Sequence, residues 1–259
     1  MSRQEQQAAT KALWGMADYS GLAALLDPAA ATLVDATAPE PGDRVLDVAA
    51  GTGNVAVHAA ARGAHVTACD IAPRMVQLGR ERTGPAVTWI ETDVEDLPLP
   101  DATVDIALST FGVIFARRPE VALAQLRRVL VPGGRLGLTV WTADGYVAER
   151  ARIIRDYVPA DPHYPDTLSW GDPGTLERRL ATGFTDVRIE RRSIPWRFDS
   201  PQEMSTFYAA HSAAYVAATQ AAGERADAMI AALERHAAPD GGPVRIDSEY
   251  LLVQAQARS

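Results

Sequence analysis

The chain has 259 residues, of which 47% are hydrophobic and 22% are charged. This composition is close to the average of globular domains and far from that of disordered chains. The formal net charge of −8 argues against a protein that works by coating nucleic acid, because phosphate binding needs a clustered basic surface.

Cysteine use and hydropathy indicate where the protein works. Cys69 is the only cysteine, so no intramolecular disulfide can form, and we expect a cytoplasmic protein. No uninterrupted apolar run approaches the roughly 20 residues that a membrane-spanning helix needs. The polar N-terminal residues lack the apolar core of a signal peptide. We therefore expect no membrane span.

The chain begins with a helical segment, predicted over residues 4–36 from leucines at three- and four-residue spacings. A breaker cluster at 39–43 follows it. We interpret residues 1–38 as a helical lid, because Trp14 and Tyr19 flank a glycine-containing stretch of the kind that closes over a site. Simple packing of this segment on the sheet is the alternative interpretation.

Strands and helices alternate from residue 44 onward. Apolar runs predict seven strands, at 44–48, 65–69, 87–91, 104–109, 135–141, 186–198 and 244–256. Helical periodicity predicts helices near 54–62, 73–82, 118–130 and 173–183. This alternation predicts an α/β fold with a doubly wound, mostly parallel, Rossmann-like sheet covered by helices on both faces. The last two strands are long and partly alternating, so we expect an antiparallel pair at the sheet edge.

The domain organisation is predicted to be simple. An alanine-rich block at 201–236 carries helical signals and no strand signal. No repeat, low-complexity tract or flexible linker divides the chain. We therefore predict one domain over residues 1–259, with helical additions at the N-terminus and at 201–236.

A glycine-containing turn follows the first strand and opens a helix. Gly51 and Gly53 permit unusual backbone angles and let a ligand approach the main chain. Asp47, at the carboxyl end of the strand, suits a cationic ligand such as an ammonium or a sulfonium. The spacing Gly51-x-Gly53-x-x-Ala56 also satisfies the dinucleotide fingerprint. From this turn alone, two other interpretations stay open: a nicotinamide or flavin cofactor, and a tight turn without a ligand.

Two further acids follow the second and third strands. Asp70 ends the second strand, where a carboxylate can accept hydrogen bonds from both ribose hydroxyls; a helix N-cap is the alternative role. Asp93 follows the third strand and can accept from an adenine amine, while the next backbone amide can bond the ring nitrogen. A Pro132-Gly133-Gly134 turn later leads from a helix into a buried strand.

The order of these motifs resembles that of the class I S-adenosylmethionine-dependent methyltransferases, in particular the small-molecule branch with the ubiquinone/menaquinone methyltransferases. The resemblance covers residues 40–142, which it identifies as a cofactor-binding core. It implies S-adenosylmethionine as the cofactor and transfer of its methyl group to a small molecule. The helical insertion at 201–236 would then lie over the acceptor site.

The resemblance also implies a set of cofactor contacts. These residues are Asp47, Ala49, Gly51, Asp70, Ile71, Asp93, Val94 and Ser109. Asp47, Ala49 and Gly51 would surround the methionine part of the cofactor. Asp70 would hold the ribose, and Ile71 would pack on the adenine. The Asp93 carboxylate and the Val94 backbone amide would hydrogen-bond the edge of the adenine. Ser109 would present its backbone carbonyl to the methionine amino group.

Signals for catalysis are weaker. In-line displacement at a sulfonium carbon needs a general base only when the nucleophile must lose a proton. The five histidines form no zinc-like cluster, so we expect no metal. His211, in the helical block with aromatic neighbours, is the candidate catalytic base; a structural histidine is the alternative. His163, with Tyr164 beside it, is a second candidate.

Aromatic residues suggest the class of acceptor. Phe111, Phe115 and Trp141 follow the fourth and fifth strands, where they are placed to line an apolar pocket. We therefore expect a flat or hydrophobic acceptor, such as an aromatic, polyketide-like or quinone-like metabolite. We expect a monomer or homodimer without a nucleic-acid partner. Two alternatives stay open: an NAD-dependent oxidoreductase, and an S-adenosylmethionine-binding protein that catalyses a non-methylating reaction.

Overall fold

The computed structural model describes residues 3–159 and 165–258. The strands are β1 Arg44–Val48, β2 His65–Asp70, β3 Val87–Glu91, β4 Val104–Thr110, β5 Leu130–Trp141, β6 Phe184–Phe198 and β7 Val244–Ala257. The α-helices are α1 Arg3–Trp14, α2 Ser20–Thr37, α3 Asn54–Ala61, α4 Pro73–Thr83, α5 Pro119–Val129, α6 Tyr146–Arg155, α7 Pro173–Leu180, α8 Pro201–His211, α9 Ala213–Ala222 and α10 Ala226–Ala237. None of these helices combines the length and apolar character that a bilayer crossing requires.

The strands form one seven-stranded sheet in the order β3-β2-β1-β4-β5-β7-β6. Strands β1 to β5 are parallel, and β7 lies antiparallel between β5 and β6. The predicted α/β fold with an antiparallel C-terminal pair is therefore confirmed. Since the strand order reverses between β1 and β4, a crevice is expected at the carboxyl ends of these two strands.

The sheet is covered on both faces because its central strands are apolar on both sides. Leu46 and Leu108 are fully buried on opposite faces of neighbouring strands. Helices α2 and α3, with the helical block, cover one face, and α5 and α7 cover the other. Helix α2 lies close to β5 at Gly137. A Cβ on this glycine would come within 2.6 Å of the Thr37 side chain of α2, so the close approach requires glycine. This packing fixes where the N-terminal segment enters the fold.

The structure refines two sequence predictions. Strand β5 begins at Leu130 and not at residue 135. A register shift, from Val104 opposite Leu130 to Ile106 opposite Arg135, absorbs the Pro-Gly-Gly turn inside the strand pairing. Helix α6 was not predicted, although its apolar residues pack on the core. The helical block at 201–236 forms the three helices α8, α9 and α10, as expected.

Candidate active site

A cleft of about 280 Å³ opens beside the carboxyl ends of β1, β2, β3 and β4. Most of the predicted cofactor contacts line it, namely Asp47, Ala49, Gly51, Asp70, Ile71, Asp93 and Val94. They come together because parallel strands present their carboxyl ends at one edge of a sheet. The cleft is thus the place where a ligand can meet all three predicted acids.

The turn after β1 shapes the floor of the cleft through its backbone. Ala49, Gly51 and Gly53 have positive φ angles of 49°, 56° and 86°. Such angles are costly for alanine and free for glycine, and strain of this kind gathers at ligand sites. Gly112 packs directly on the turn, because a Cβ at that position would lie 2.4 Å from the Ala49 carbonyl oxygen. The turn therefore leaves no room for a side chain at residue 112.

Asp47 is a buried carboxyl group that faces the cleft. It is 1% exposed, and its Oδ2 accepts a hydrogen bond of 3.0 Å from the Ala56 amide. Burial raises the pKa of Asp47 to about 8, although the Ala56 amide opposes the shift. No basic residue in the described chain forms an ion pair with it. Because a buried charge needs a partner, this site fits a cationic group on a ligand.

Asp70 connects two turns of the cleft wall. Its Oδ2 accepts from the Gly51 amide at 2.9 Å, and its Oδ1 accepts from the Ala72 amide at 2.9 Å. Burial raises the pKa of Asp70 to about 6, against the lowering effect of these amides. Each carboxylate oxygen can accept a further hydrogen bond, so both remain able to accept from a diol. The N-cap of α4 is Ala72 and not Asp70.

Asp93 is contacted by the N-terminal helix. Its Oδ1 accepts from the Glu95 amide at 3.0 Å, and its Oδ2 accepts from the Gln7 side-chain amide at 3.0 Å. Lys11, one turn further along α1, pairs with Glu91 at 2.6 Å. Helix α1 therefore lies over the end of β3. Gln7 was not among the residues selected from the sequence; its position seven residues before Trp14, on the same face of α1, was the available signal.

Aromatic rings line the opposite side of the cleft. The Trp14 ring meets Phe115 edge-on, with centroids 4.8 Å apart, and both residues line the cleft. Tyr19 covers the glycine turn, since a Cβ on Gly51 would lie 3.2 Å from its ring. Phe111 also lines the cleft, with a positive φ of 55°. Trp141 stacks on Phe111 with centroids 3.9 Å apart and lies behind the lining.

Ser109 lies below the cleft and does not line it. Its side chain is fully buried; the hydroxyl donates to the Val48 carbonyl at 2.8 Å and accepts from the Val113 amide at 3.0 Å. These bonds join the end of β1 to the turn after β4. The next residue, Thr110, lines the cleft with a hydroxyl that has no partner. The carbonyl role of Ser109 stays a prediction.

His211 is also outside the lining of the cleft. Its Nδ1 lies 2.8 Å from the Asp18 carbonyl oxygen, and its ring occupies the space that a Cβ on Gly21 would fill, at 2.5 Å. These contacts fasten α8 to the N-terminal segment, so the geometry gives His211 a structural role. Its role as a base stays a prediction without support from these contacts. His163 and Tyr164 lie outside the described residues.

Side chains that could hold a metal ion are not clustered in the described part of the chain. Over residues 3–159 and 165–258, no group of three or more His, Cys, Asp or Glu side chains is arranged to hold an ion. The described lining of the cleft also contains no histidine, lysine or cysteine. The described lining offers carboxylates, backbone amides, aromatic rings and the side chains of Arg117 and Arg118.

Known proteins resemble this chain in sequence and fold. The family described as "Methyltransferase domain" matches residues 46–138. The uncharacterized protein Rv1403c of Mycobacterium tuberculosis is 35% identical over 212 residues, which cover 80% of this chain and 77% of that protein. The demethylmenaquinone methyltransferase of Clavibacter sepedonicus is 42% identical over 177 residues, which cover 61% of this chain and 71% of that enzyme.

Solved structures share the architecture. The YcgJ protein of Bacillus subtilis has a TM-score of 0.63 at 17% identity, over 89% of this chain and 98% of that one. The matched family and the methyltransferase relative identify the chemistry as methyl transfer, which excludes the alternative of an NAD-dependent oxidoreductase. The three acids and the glycine turn fit a cationic nucleoside-bearing ligand. The chain therefore belongs to the S-adenosylmethionine-dependent methyltransferases, and S-adenosylmethionine is its cofactor.

Proposed function

We propose that this methyltransferase acts on a small, flat acceptor of aromatic, polyketide-like or quinone-like character. The observation that carries the proposal is the aromatic side of the cleft, formed by Trp14, Tyr19, Phe111 and Phe115. Flat rings of this kind bind planar apolar ligands through their large contact area. The bound cofactor supplies an electrophilic methyl group on a sulfonium.

We assign the methionine end of the cofactor to the turn after β1. Asp47 would face the ammonium group, because its burial without a basic partner favours a cation. Ala49 and Gly51 would shape the backbone around the chain. The carbonyl of Ser109 would accept from the same ammonium; its buried bonds to Val48 and Val113 hold that part of β4 in place.

We assign the nucleoside end to the next two strands. Asp70 would accept from the ribose hydroxyls, and Ile71 would pack on the adenine. Asp93 would accept from the adenine amine, with the Val94 amide bonding the ring. The support is that these four residues line one cleft, with both carboxylates held by backbone amides.

Water exclusion is the part that we assign to the helical additions. Residues 1–38 would act as a lid, since Gln7 and Trp14 of α1 line the cleft. The insertion at 201–236 would cover the acceptor, because His211 joins it to the N-terminal segment. Closing a site in this way strengthens its electrostatic interactions and holds the reactants in line. Residues 1–259 would then work as one domain.

A transfer assay tests this proposal. The protein is incubated with methyl-deuterated S-adenosylmethionine and a panel of planar phenols, quinols and enolised polyketides, with polyamines and sugar phosphates as the charged comparison set. We expect the label, followed by mass spectrometry, in planar acceptors. Turnover of the charged set alone would contradict the proposal. An acceptor that changes structure without gaining label would support the non-methylating alternative.

A further inference from the structure

A second group of polar and aromatic side chains lies between α6, α8, α9 and β6. The guanidinium of Arg150 sits over the Tyr208 ring, 4.4 Å from its centroid, and 5.7 Å from the centroid of Tyr215. Trp196 meets Tyr208 at 6.1 Å. We call these residues the Arg150 cluster. None of its members is used by the cofactor site described above.

The Arg150 cluster contains a cation and buried donors without acceptors. Tyr208 and Trp196 are each 2% exposed, and the Tyr208 hydroxyl and the Trp196 Nε1 have no hydrogen-bond partner. The half-buried Arg150 forms no ion pair with a described carboxylate. Buried polar groups are normally paired, and each unpaired one deserves an explanation.

The chemistry of these groups specifies the missing partner. An arginine and an indole N–H only donate hydrogen bonds. Burial raises the pKa of the Tyr208 hydroxyl above its usual range, so this group keeps its proton and can donate as well. Water could satisfy single donors, whereas an anionic oxygen would accept from a donor and also balance the arginine charge.

The Arg150 cluster lies at the same edge of the sheet as the cleft. The β6–β7 pair extends beyond the end of β5, since Trp141 is opposite Tyr250 while Trp196 is opposite Ile246, four residues away along β7. Phe111, which lines the cleft, stacks on Trp141 at 3.9 Å, and Trp141 meets Trp196 at 5.7 Å. An unbroken series of rings therefore connects the cofactor cleft to Tyr208.

We propose that Arg150, Tyr208 and Trp196 form a binding subsite for an anionic oxygen of the methyl acceptor, such as a carboxylate, phenolate or enolate on a flat aromatic molecule. This proposal rests on the proposed function, because it describes the acceptor of the same reaction.

Paired ligands test the subsite by calorimetry on the protein loaded with S-adenosylhomocysteine. The probes are salicylate with salicylamide and 1-naphthoate with 1-naphthamide, each pair differing in one charge. We expect a carboxylate to bind about tenfold more tightly than its amide, the scale of one charged hydrogen bond. We expect Arg150→Gln and Tyr208→Phe to reduce this preference to about twofold or less. Arg155→Gln, which removes another charge from α6 outside the cluster, is expected to preserve it.

Thermal unfolding separates a binding role from a structural one. Tyr208→Phe removes a buried hydroxyl without a partner, so we expect an unchanged or higher Tm. A clear drop in Tm would show that the hydroxyl already has a partner, and would overturn the proposal. Equal binding of acid and amide, or a preference that survives Arg150→Gln, would also overturn it. Failure of S-adenosylhomocysteine to bind would instead contradict the cofactor assignment.

Discussion

The two ends that we propose for this site are built in different ways. The cofactor end uses short strand-end segments whose carboxylates are held by backbone amides, as Asp47 is by Ala56 and Asp70 is by Gly51. The Arg150 cluster uses side chains from elements spread over residues 146–215, held mainly by ring contacts. The matched family region, 46–138, contains the first end and none of the second.

If the proposed subsite is correct, this difference would let acceptor choice vary while the cofactor end stays the same. Backbone amides at the ends of parallel strands leave few alternatives, because the strand register fixes where they point. Side-chain contacts between helices can change residue by residue without disturbing the sheet. We therefore expect substitutions at the cofactor end to affect folding and cofactor binding, and Arg150→Gln and Tyr208→Phe to affect acceptor choice more than cofactor binding.

The largest effect is expected from Gly112→Ala, which tests the backbone packing of the cofactor end. The new Cβ would lie 2.4 Å from the Ala49 carbonyl oxygen, so the turn must move. We expect a loss of about 3 kcal/mol in the free energy of unfolding, at the upper end of overpacking costs. Chemical denaturation measures it. Gly242→Ala, at a glycine with open space around it, is the control and should change stability by less than about 0.5 kcal/mol.

The next effect concerns Asp70→Ala. We expect cofactor binding to weaken by about 1.5–3 kcal/mol, the scale of lost hydrogen bonds to a charged group. Calorimetric titration with S-adenosylmethionine gives the value. Asp240→Ala removes an exposed carboxylate and should leave affinity unchanged. Unaltered affinity in Asp70→Ala would remove this residue from the ribose assignment.

A smaller effect is expected from pH, through Asp47. Its pKa of about 8 means that most molecules carry a proton there at pH 6, and a cationic ligand must displace it. Affinity for S-adenosylmethionine should therefore rise about 20-fold between pH 6 and pH 7.5, in proportion to the ionised fraction of Asp47. Titrations across this range measure the slope. In Asp47→Asn the slope from this residue should disappear; a parent protein with flat affinity would contradict the assignment of Asp47 to the ammonium.

The same carboxyl group has a consequence for stability. Its pKa in the folded protein, about 8, lies above the value of about 3.9 for an exposed aspartate. The contribution of Asp47 to the free energy of unfolding is therefore complete below about pH 4 and is lost as the pH rises toward 8. Asp47→Asn should accordingly be more stable than the parent at pH 7.5 while binding the cofactor less tightly. This control separates loss of binding from loss of folding.

The smallest effect concerns the proposed lid. Lys11 is the only lysine in the chain, and it reaches Glu91 from α1 at 2.6 Å while remaining partly exposed. Acylation of Lys11 by an activated ester can be followed by peptide mass spectrometry. Loading with S-adenosylhomocysteine should slow this acylation by about two- to fivefold, which corresponds to a shift of about 1 kcal/mol in the free energy of local opening of α1. Faster acylation would indicate that the cofactor displaces α1.

The sequence predicted that the strand-end acids would meet in one cleft, because the signals for them are local. Each acid follows a strand, and the order of strand, turn and acid repeats along the chain, so Asp47, Asp70 and Asp93 could be found without a structure. The strands were predicted for the same reason. The early start of β5 was missed because a bulge, not a new strand, accommodates the Pro-Gly-Gly turn.

The Arg150 cluster, which we propose as the acceptor end, could not be predicted in the same way. Arg150 and Tyr208 are 58 residues apart in the chain, and only tertiary packing brings the guanidinium to the ring. His211 attracted attention as a helical histidine near aromatic residues, yet its position opposite Gly21 depends on how α8 crosses the N-terminal segment. Helix α6 carried a usable signal, with Glu149 in its first turn and arginines in its last.

The most direct test is a crystal structure of the protein with S-adenosylhomocysteine. We predict that the carboxylates of Asp70 and Asp93 lie within hydrogen-bond distance of the ribose hydroxyls and the adenine amine, and that the amino group lies beside Asp47. A ligand bound elsewhere, with these three carboxylates facing an empty cleft, would contradict the account.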